Sequence, residues 1–309
     1  MDTVGADYGK KGSSKKIVAT TTLEIFWEIE EVSDKQAVTE DDFCMSNYGS
    51  TTSLASDGLF MVRLPFREDV ELGDSRKRAM ARFLNIEKKL CANPELKMEY
   101  QQFMEEYISM GHMERVVPEI RGKYYLPHQA VIRESSITTK VRVVFDASSK
   151  TSNGRSLNDI LYAGPRLQRD IFDILTKLRK HQFVISADVE KMYRQIWVHK
   201  DDQEYQCVLW RSSSESPVEQ YRLTTVTYDT ACAPFLALKT LDEIGSQCED
   251  KDIGAIIQNE FYMDDLLTGA DSVSRCKELQ AKINKRLAKY GFKQVTHLDL
   301  QRNFTMNNG

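Results

Sequence analysis

The sequence predicts an α+β or mixed fold in which strands are interleaved with helices that pack on one face of a sheet. Three observations lead there. Strand-like apolar runs alternate with segments of helical periodicity. Caps and stops stand at the ends of several periodic segments. Two adjacent carboxylates, Asp264-Asp265, interrupt a β-prone apolar run between Phe261 and Leu267, as the tip of a tight hairpin would.

The elements follow in chain order. Met1 to Lys16 is rich in Gly, Ser and Lys without an apolar signal core, so residues 1–21 are expected to form a disordered lead-in. Asp74 to Cys91 predicts a helix carrying Met80, Phe83, Leu84 and Ile86. Asn93-Pro94-Glu95 supplies a cap, a first-turn proline and an acid. Leu96, Tyr100, Phe103 and Tyr107 continue at helical spacing until Gly111 stops the helix. Lys123 to Asp146 reads as extended, with Glu134 to Thr139 as a hairpin loop. Pro165 is expected to open a helix with Leu167, Ile171, Ile174, Leu175 and Leu178 on one face. Strands are expected at Phe183 to Asp188, Gln195 to Val198, Gln206 to Trp210 and Gln220 to Val226. Ala233-Pro234 opens another helix. The acidic hairpin comes next, and Ser272 to Tyr290 then forms a helix ended by Gly291.

Composition narrows the function classes. The chain has 309 residues and lacks an apolar run long enough to span a membrane. Its six cysteines show no close CxxC pair, which favours free thiols in a reducing compartment over a zinc knuckle. The net charge of -4 argues mildly against a nucleic-acid binder, but its distribution matters more. Residues 121–200 hold 15 Lys and Arg against 7 Asp and Glu, a basic stretch suited to a phosphate-rich partner.

An isolated Asp is an ordinary turn residue. A doublet inside an apolar frame is different, because unpaired burial of carboxylates is costly. Asp188 ends the apolar run from Phe183 in a similar way. If the two strands are neighbours, three carboxylates meet, a known arrangement for holding two divalent cations at a displacement on phosphorus.

These residues resemble the reverse transcriptase palm with its YMDD-type box. The wider wording is closer to the Bel/Pao class of long-terminal-repeat retrotransposon polyproteins. It includes Leu64-Pro65-Phe66, Leu72-Gly73-Asp74-Ser75, Gly111-His112-Met113-Glu114 and Tyr124 to Val131. It continues through Arg142 to Ser148, Ser156-Leu157-Asn158-Asp159, Ala187 to Tyr193 and Phe261 to Ala270. Order and spacing match from about residue 22 to about residue 294.

The resemblance implies a right-hand polymerase with fingers and palm over residues 121–294. It also implies an N-terminal helical extension over 22–120 and a divergent tail over 295–309. The primer grip, thumb, connection and RNase H are expected to be missing, and no aspartic-protease signature occurs. Asp188, Asp264 and Asp265 would be the catalytic acids. With the Val189 carbonyl they would ligate two Mg²⁺ ions, for which Mn²⁺ could substitute. Lys140 and Arg142 would cover the triphosphate, with Arg133 a weaker candidate. Tyr193 would sense the sugar, Met263 would touch the nucleotide, and Tyr262 would lie near the primer end. The implied activity is RNA-directed DNA polymerisation on an RNA or DNA template–primer with dNTPs. The implied setting is intracellular, in cytoplasm or a virus-like particle, neither secreted nor in a membrane. Protease, RNase H and integrase domains would accompany it in a full-length parent polyprotein.

Two other readings remain open. One is a catalytically inactive, truncated remnant that folds and at most binds template–primer. The other is a different metal-dependent phosphotransferase, since three acids and a basic strip are not unique to polymerases. Asp229 stands where the family pattern has Gly, which places a carboxylate beside the template or nucleotide path. Asp229→Gly is expected to raise primer-extension activity, and equal extension rates for the two forms would remove that idea.

Overall fold

Local sequence sets most elements of the structure, a computed structural model that describes residues 39–68, 70–117, 120–132 and 141–295. The described residues from Glu40 onward form one compact unit. Helix α1 (Glu40–Thr51) buries Cys44 and Tyr48, four apart and so on one face. Short strands β1 (Ser53–Leu54) and β2 (Phe60–Val62) pair antiparallel. Helix α2 (Arg76–Ala92) buries Ala79, Phe83, Ile86 and Leu90. Helix α3 (Pro94–Ser109) starts as the sequence predicts: the Asn93 side chain accepts the Leu96 N–H at 3.1 Å, with Pro94 in the first turn. Gly111 follows at φ 74°, the left-handed stop expected of it.

Strand β3 (Met113–Arg115) comes next, and strands β4 (His128–Ile132) and β5 (Val141–Phe145) form an antiparallel hairpin. Its connection, with Arg133 and Lys140, lies outside the described residues. So do the lead-in and the tail beyond residue 295. Helix α4 (Ile171–Leu178) begins six residues later than Pro165 predicts. Asp170 caps it by accepting the Phe172 N–H at 2.8 Å, so Leu167 precedes the helix rather than lining it. Its apolar face is also only partly covered: Ile174 is buried, but Leu175 is 44% exposed.

Strand β6 (Phe183–Val189) matches its prediction, whereas the expected strand from Gln195 shrinks to β7 (Trp197–Val198) behind a 3-10 turn at Met192–Gln195. A short helix α5 (Lys200–Gln203) leads to β8 (Cys207–Trp210) and β9 (Glu219–Leu223), which pair antiparallel. Helix α6 (Ala233–Ser246) packs on α7 (Lys251–Asn259), a helix absent from the sequence reading and capped by Asp250. Strands β10 (Phe261–Tyr262) and β11 (Asp265–Ala270) form the expected acidic hairpin. Helix α8 (Val273–Ala288), capped by Ser272, is followed by Gly291 at φ 81° and then β12 (Gln294–Val295).

The sheet that positions the site has the order β10-β11-β6-β12, with every pair antiparallel. Helices α4 and α8 pack against it. One apolar cluster runs from Cys44 through Ile185, Leu266 and Phe292, so the segment before residue 120 shares its core with the rest. No helix among the described residues is long and apolar enough to cross a membrane. Asn93→Ala removes the α3 cap and is expected to cost about 1 kcal/mol. Thermal melting should show it as a Tm lower by roughly 2–4 °C.

Candidate active site

The β6–β11 ladder decides the geometry. In its register Asp188 lies directly opposite Asp265, and Leu266 opposite Ala187. Residues opposite one another project to the same face of a sheet. Ala187 and Leu266 are buried, while Asp188, Ser186 and Asp265 are exposed. The sheet therefore covers one face with apolar side chains and turns a like-charged pair to the open one. Like charges directly opposite destabilise a sheet.

Asp264 joins them from the turn. Only two residues, Met263 and Asp264, separate β10 from β11, and Met263 takes φ 55°. The Val189 N–H donates to the Asp264 carbonyl at 2.9 Å, tying the turn to the end of β6. From the other side, Gln168 Oε1 accepts the Met263 N–H at 2.8 Å and its Nε2 donates to the Phe261 carbonyl at 3.2 Å. Burial, and then the Asp264 charge, push the Asp265 carboxyl above the ordinary carboxylate value. The same two causes raise the half-buried Tyr193 phenol, which places its ring within the field of Asp264.

The backbone thus brings Asp188, Val189, Asp264 and Asp265 together. Their side chains do not close on a point: among the described residues no group of three or more His, Cys, Asp or Glu converges as an ion site. Mutual repulsion of carboxylates opposes such closure. All the donors are hard oxygens, the type Mg²⁺ takes, and Mg²⁺ uses one or two carboxylates and fills its shell from water and substrate phosphate.

Arg142 is exposed on β5, opposite Val131. Its charge opposes the burial that raises the Tyr228 and Tyr107 phenols, so it stands near both rings. The Tyr228 hydroxyl donates to the Val143 carbonyl on the same strand. Tyr262 is 37% exposed at the hairpin tip. Lys140 lies outside the described residues.

Asp229 behaves differently from the glycine reading. Among the described residues only Lys191 and Met263 combine a side chain with positive φ, so Asp229 has ordinary backbone geometry. Its Oδ2 accepts the Ala147 N–H at 3.0 Å, and Asn158 brackets it by donating to the Asp229 carbonyl and accepting the Ala231 N–H. Replacing it by Gly would remove an anchor for the end of β5 as well as a charge.

A basic cluster escaped the sequence reading. Glu106 on α3 pairs with Lys191, and with Arg194 at 3.5 Å. Arg194 lies over the Tyr107 ring, 4.1 Å from its centroid. His112 beside them is 7% exposed, and neither ring nitrogen has a hydrogen-bond partner among the described residues. Burial, then the Arg194 and Lys191 charges, hold its pKa down at about 4, so it is neutral. The i, i+3 spacing of Lys191 and Arg194 was the available signal.

The sequence matches the reverse transcriptase (RNA-dependent DNA polymerase) family over residues 131–296, more than half of the chain. The chain belongs to this family. Solved structures of the foamy viral protease-reverse transcriptase share the fold of this reverse transcriptase domain. One, a dRH form in complex with ds DNA, is 18% identical at a TM-score of 0.50, over 63% of this chain and 30% of its own. A second, in complex with dsDNA, is 18% identical at 0.50, over 64% and 36%. A third, with an RNA/DNA hybrid, is 17% identical at 0.50, over 65% and 24%. The chain thus spans at most 36% of these proteins. No curated protein sequence matches it.

In this reverse transcriptase domain the raised Asp265 carboxyl has a stability consequence. A folded-state pKa above the ordinary value favours folding at low pH, and that contribution is lost as pH rises through it. At pH 7 the ionised Asp265 therefore opposes folding. Asp265→Asn is expected to raise the Tm at pH 7 by about 0.5–4 °C, from roughly 0.2–1 kcal/mol of relieved carboxylate burial and repulsion from Asp264. The gain should shrink as the pH falls through the raised Asp265 value, where the native carboxyl takes up its proton. A Tm difference that stays constant across that range would contradict it.

Proposed function

We propose that this chain is the polymerising part of a Bel/Pao-type retrotransposon polyprotein, extending a primer on an RNA or DNA template with dNTPs. The observation that carries the reading is the Asp188–Asp265 pair on the open sheet face, with the Asp264 turn beside it. The ordered motifs and the family match support it. Residues 121–294 would form fingers and palm, and residues 22–120 an N-terminal extension.

In such a reaction the primer 3′-hydroxyl attacks the α-phosphorus of a dNTP and pyrophosphate leaves. Two Mg²⁺ ions, or Mn²⁺ in their place, would supply a lowered pKa for the attacking hydroxyl and neutralise the charge on the leaving pyrophosphate. Asp188, Asp264 and the Val189 carbonyl would hold these ions, and Asp265 would add its negative field. Tyr193, within the field of Asp264, would lie under the ribose and exclude a 2′-hydroxyl. Arg142, with its planar fork, and Lys140 would cover the triphosphate. Met263 would touch the nucleotide and Tyr262 the primer end. Phosphate contacts would do most of the holding, so binding should be salt-sensitive.

The protein should extend a gapped primer–template with labelled dNTP and Mg²⁺, and Asp264→Asn should cut the rate at least about 100-fold. Extension that survives Asp264→Asn would overturn the reading. Template–primer binding without extension by the native chain would instead favour a catalytically inactive remnant.

A further inference from the structure

The turn that carries Asp264 does not hold itself. Met263 adopts φ 55°, a left-handed backbone that side chains other than glycine rarely take without outside support. Support comes from two sides. The Val189 N–H pins the Asp264 carbonyl at 2.9 Å. Opposite it, one side-chain amide grips the turn at two points: Gln168 Oε1 accepts the Met263 N–H at 2.8 Å, and Nε2 donates to the Phe261 carbonyl at 3.2 Å. The orientation of that amide is determined, because the Met263 N–H can only donate and the Phe261 carbonyl can only accept. Gln168 also donates to the carbonyl of its neighbour Arg169 at 3.1 Å, which orders its own segment. That segment runs into the Asp170 cap of α4, and α4 packs on β10 and β11. The clamp is therefore anchored to the sheet from which the turn projects.

We propose that Gln168 is a positioning residue for the acidic turn, holding Met263 in its left-handed conformation so that Asp264 is presented beside Asp188. It touches neither substrate nor ion; it acts through the backbone of the turn. The proposal rests on the polymerase reading for its effect on rate, and on geometry alone for its effect on the turn. Displacing catalytic groups by about 1 Å can cost about 100-fold in rate, so the clamp matters out of proportion to two hydrogen bonds.

The test uses Gln168→Met, which keeps the length of the side chain and removes both hydrogen bonds. Hydrogen–deuterium exchange of the peptide spanning residues 260–266 should quicken roughly tenfold at the Met263 amide. The kcat for extension should fall about 10–100-fold, the Mg²⁺ concentration for half-maximal rate should rise, and the KM for template–primer should stay within about twofold. Gln168→Glu keeps the acceptor and loses the donor, so it should fall between the two, and it replaces the first variant if that one does not fold. Unchanged exchange at the turn would overturn the proposal. So would quickened exchange with unchanged kcat and unchanged Mg²⁺ dependence. If the native chain does not extend a primer, the polymerase reading fails by itself. Mn²⁺ affinity of the free chain then decides on Gln168: weaker binding by several-fold in Gln168→Met supports the clamp, and equal affinity overturns it.

Discussion

The site depends on one register. Strand β6 pairs with β11 through six residue pairs from Phe183 to Asp188, and that alignment alone sets Asp188 against Asp265. The pairing works against itself at the charged end, by roughly 0.2–1 kcal/mol for like charges directly opposite. The opposing term is larger. Ile185, Ala187 and Leu266 are buried on the other face, and a fully buried large apolar side chain stabilises by about 1.5–3 kcal/mol. A slip of one residue would exchange the faces and drive the carboxylates into the core. The apolar face therefore holds an acidic cluster that electrostatics alone would disperse.

Residues before the family match help hold this frame. The Tyr48 hydroxyl meets the Thr240 hydroxyl at 3.0 Å, joining α1 to α6. Asp202 accepts the Arg63 Nε–H at 2.8 Å and the Leu64 N–H at 2.9 Å. The Arg211 fork grips Glu87 on α2. Tyr100 on α3 hydrogen-bonds His128 on β4, which in turn meets the Leu209 carbonyl at 2.9 Å. Glu106 reaches Lys191 and Arg194, on either side of Tyr193. The segment around Tyr193 is thus braced by α3, a helix that precedes the matched region.

Two side chains show how far tertiary context reassigns a residue. Asp229 reads from sequence as an intruding charge in a glycine turn, yet it accepts the Ala147 N–H across 82 positions of chain. Burial raises its carboxyl, so part of its cost comes from the same placement that makes it an anchor. Gln168 reads as one helix residue among several. With α4 starting at Ile171, it lies instead ahead of the helix and reaches the acidic turn 95 positions away.

The sequence by itself determined what depends on a few neighbouring residues. The Asn93-Pro94-Glu95 start, the Gly111 and Gly291 stops, the Ser272 cap and the acidic hairpin are all local: a cap bonds two or three residues on, and a left-handed stop needs only its own backbone. The motifs around Asp188 and Asp264 were legible for the same reason, as chemical identity in a short frame. Tertiary structure alone decided which strands are neighbours, that Asp188 faces Asp265, and that Gln168 and Val189 hold the turn from opposite sides. Those outcomes rest on apolar burial summed over residues far apart in the chain, and no local window of sequence contains that sum.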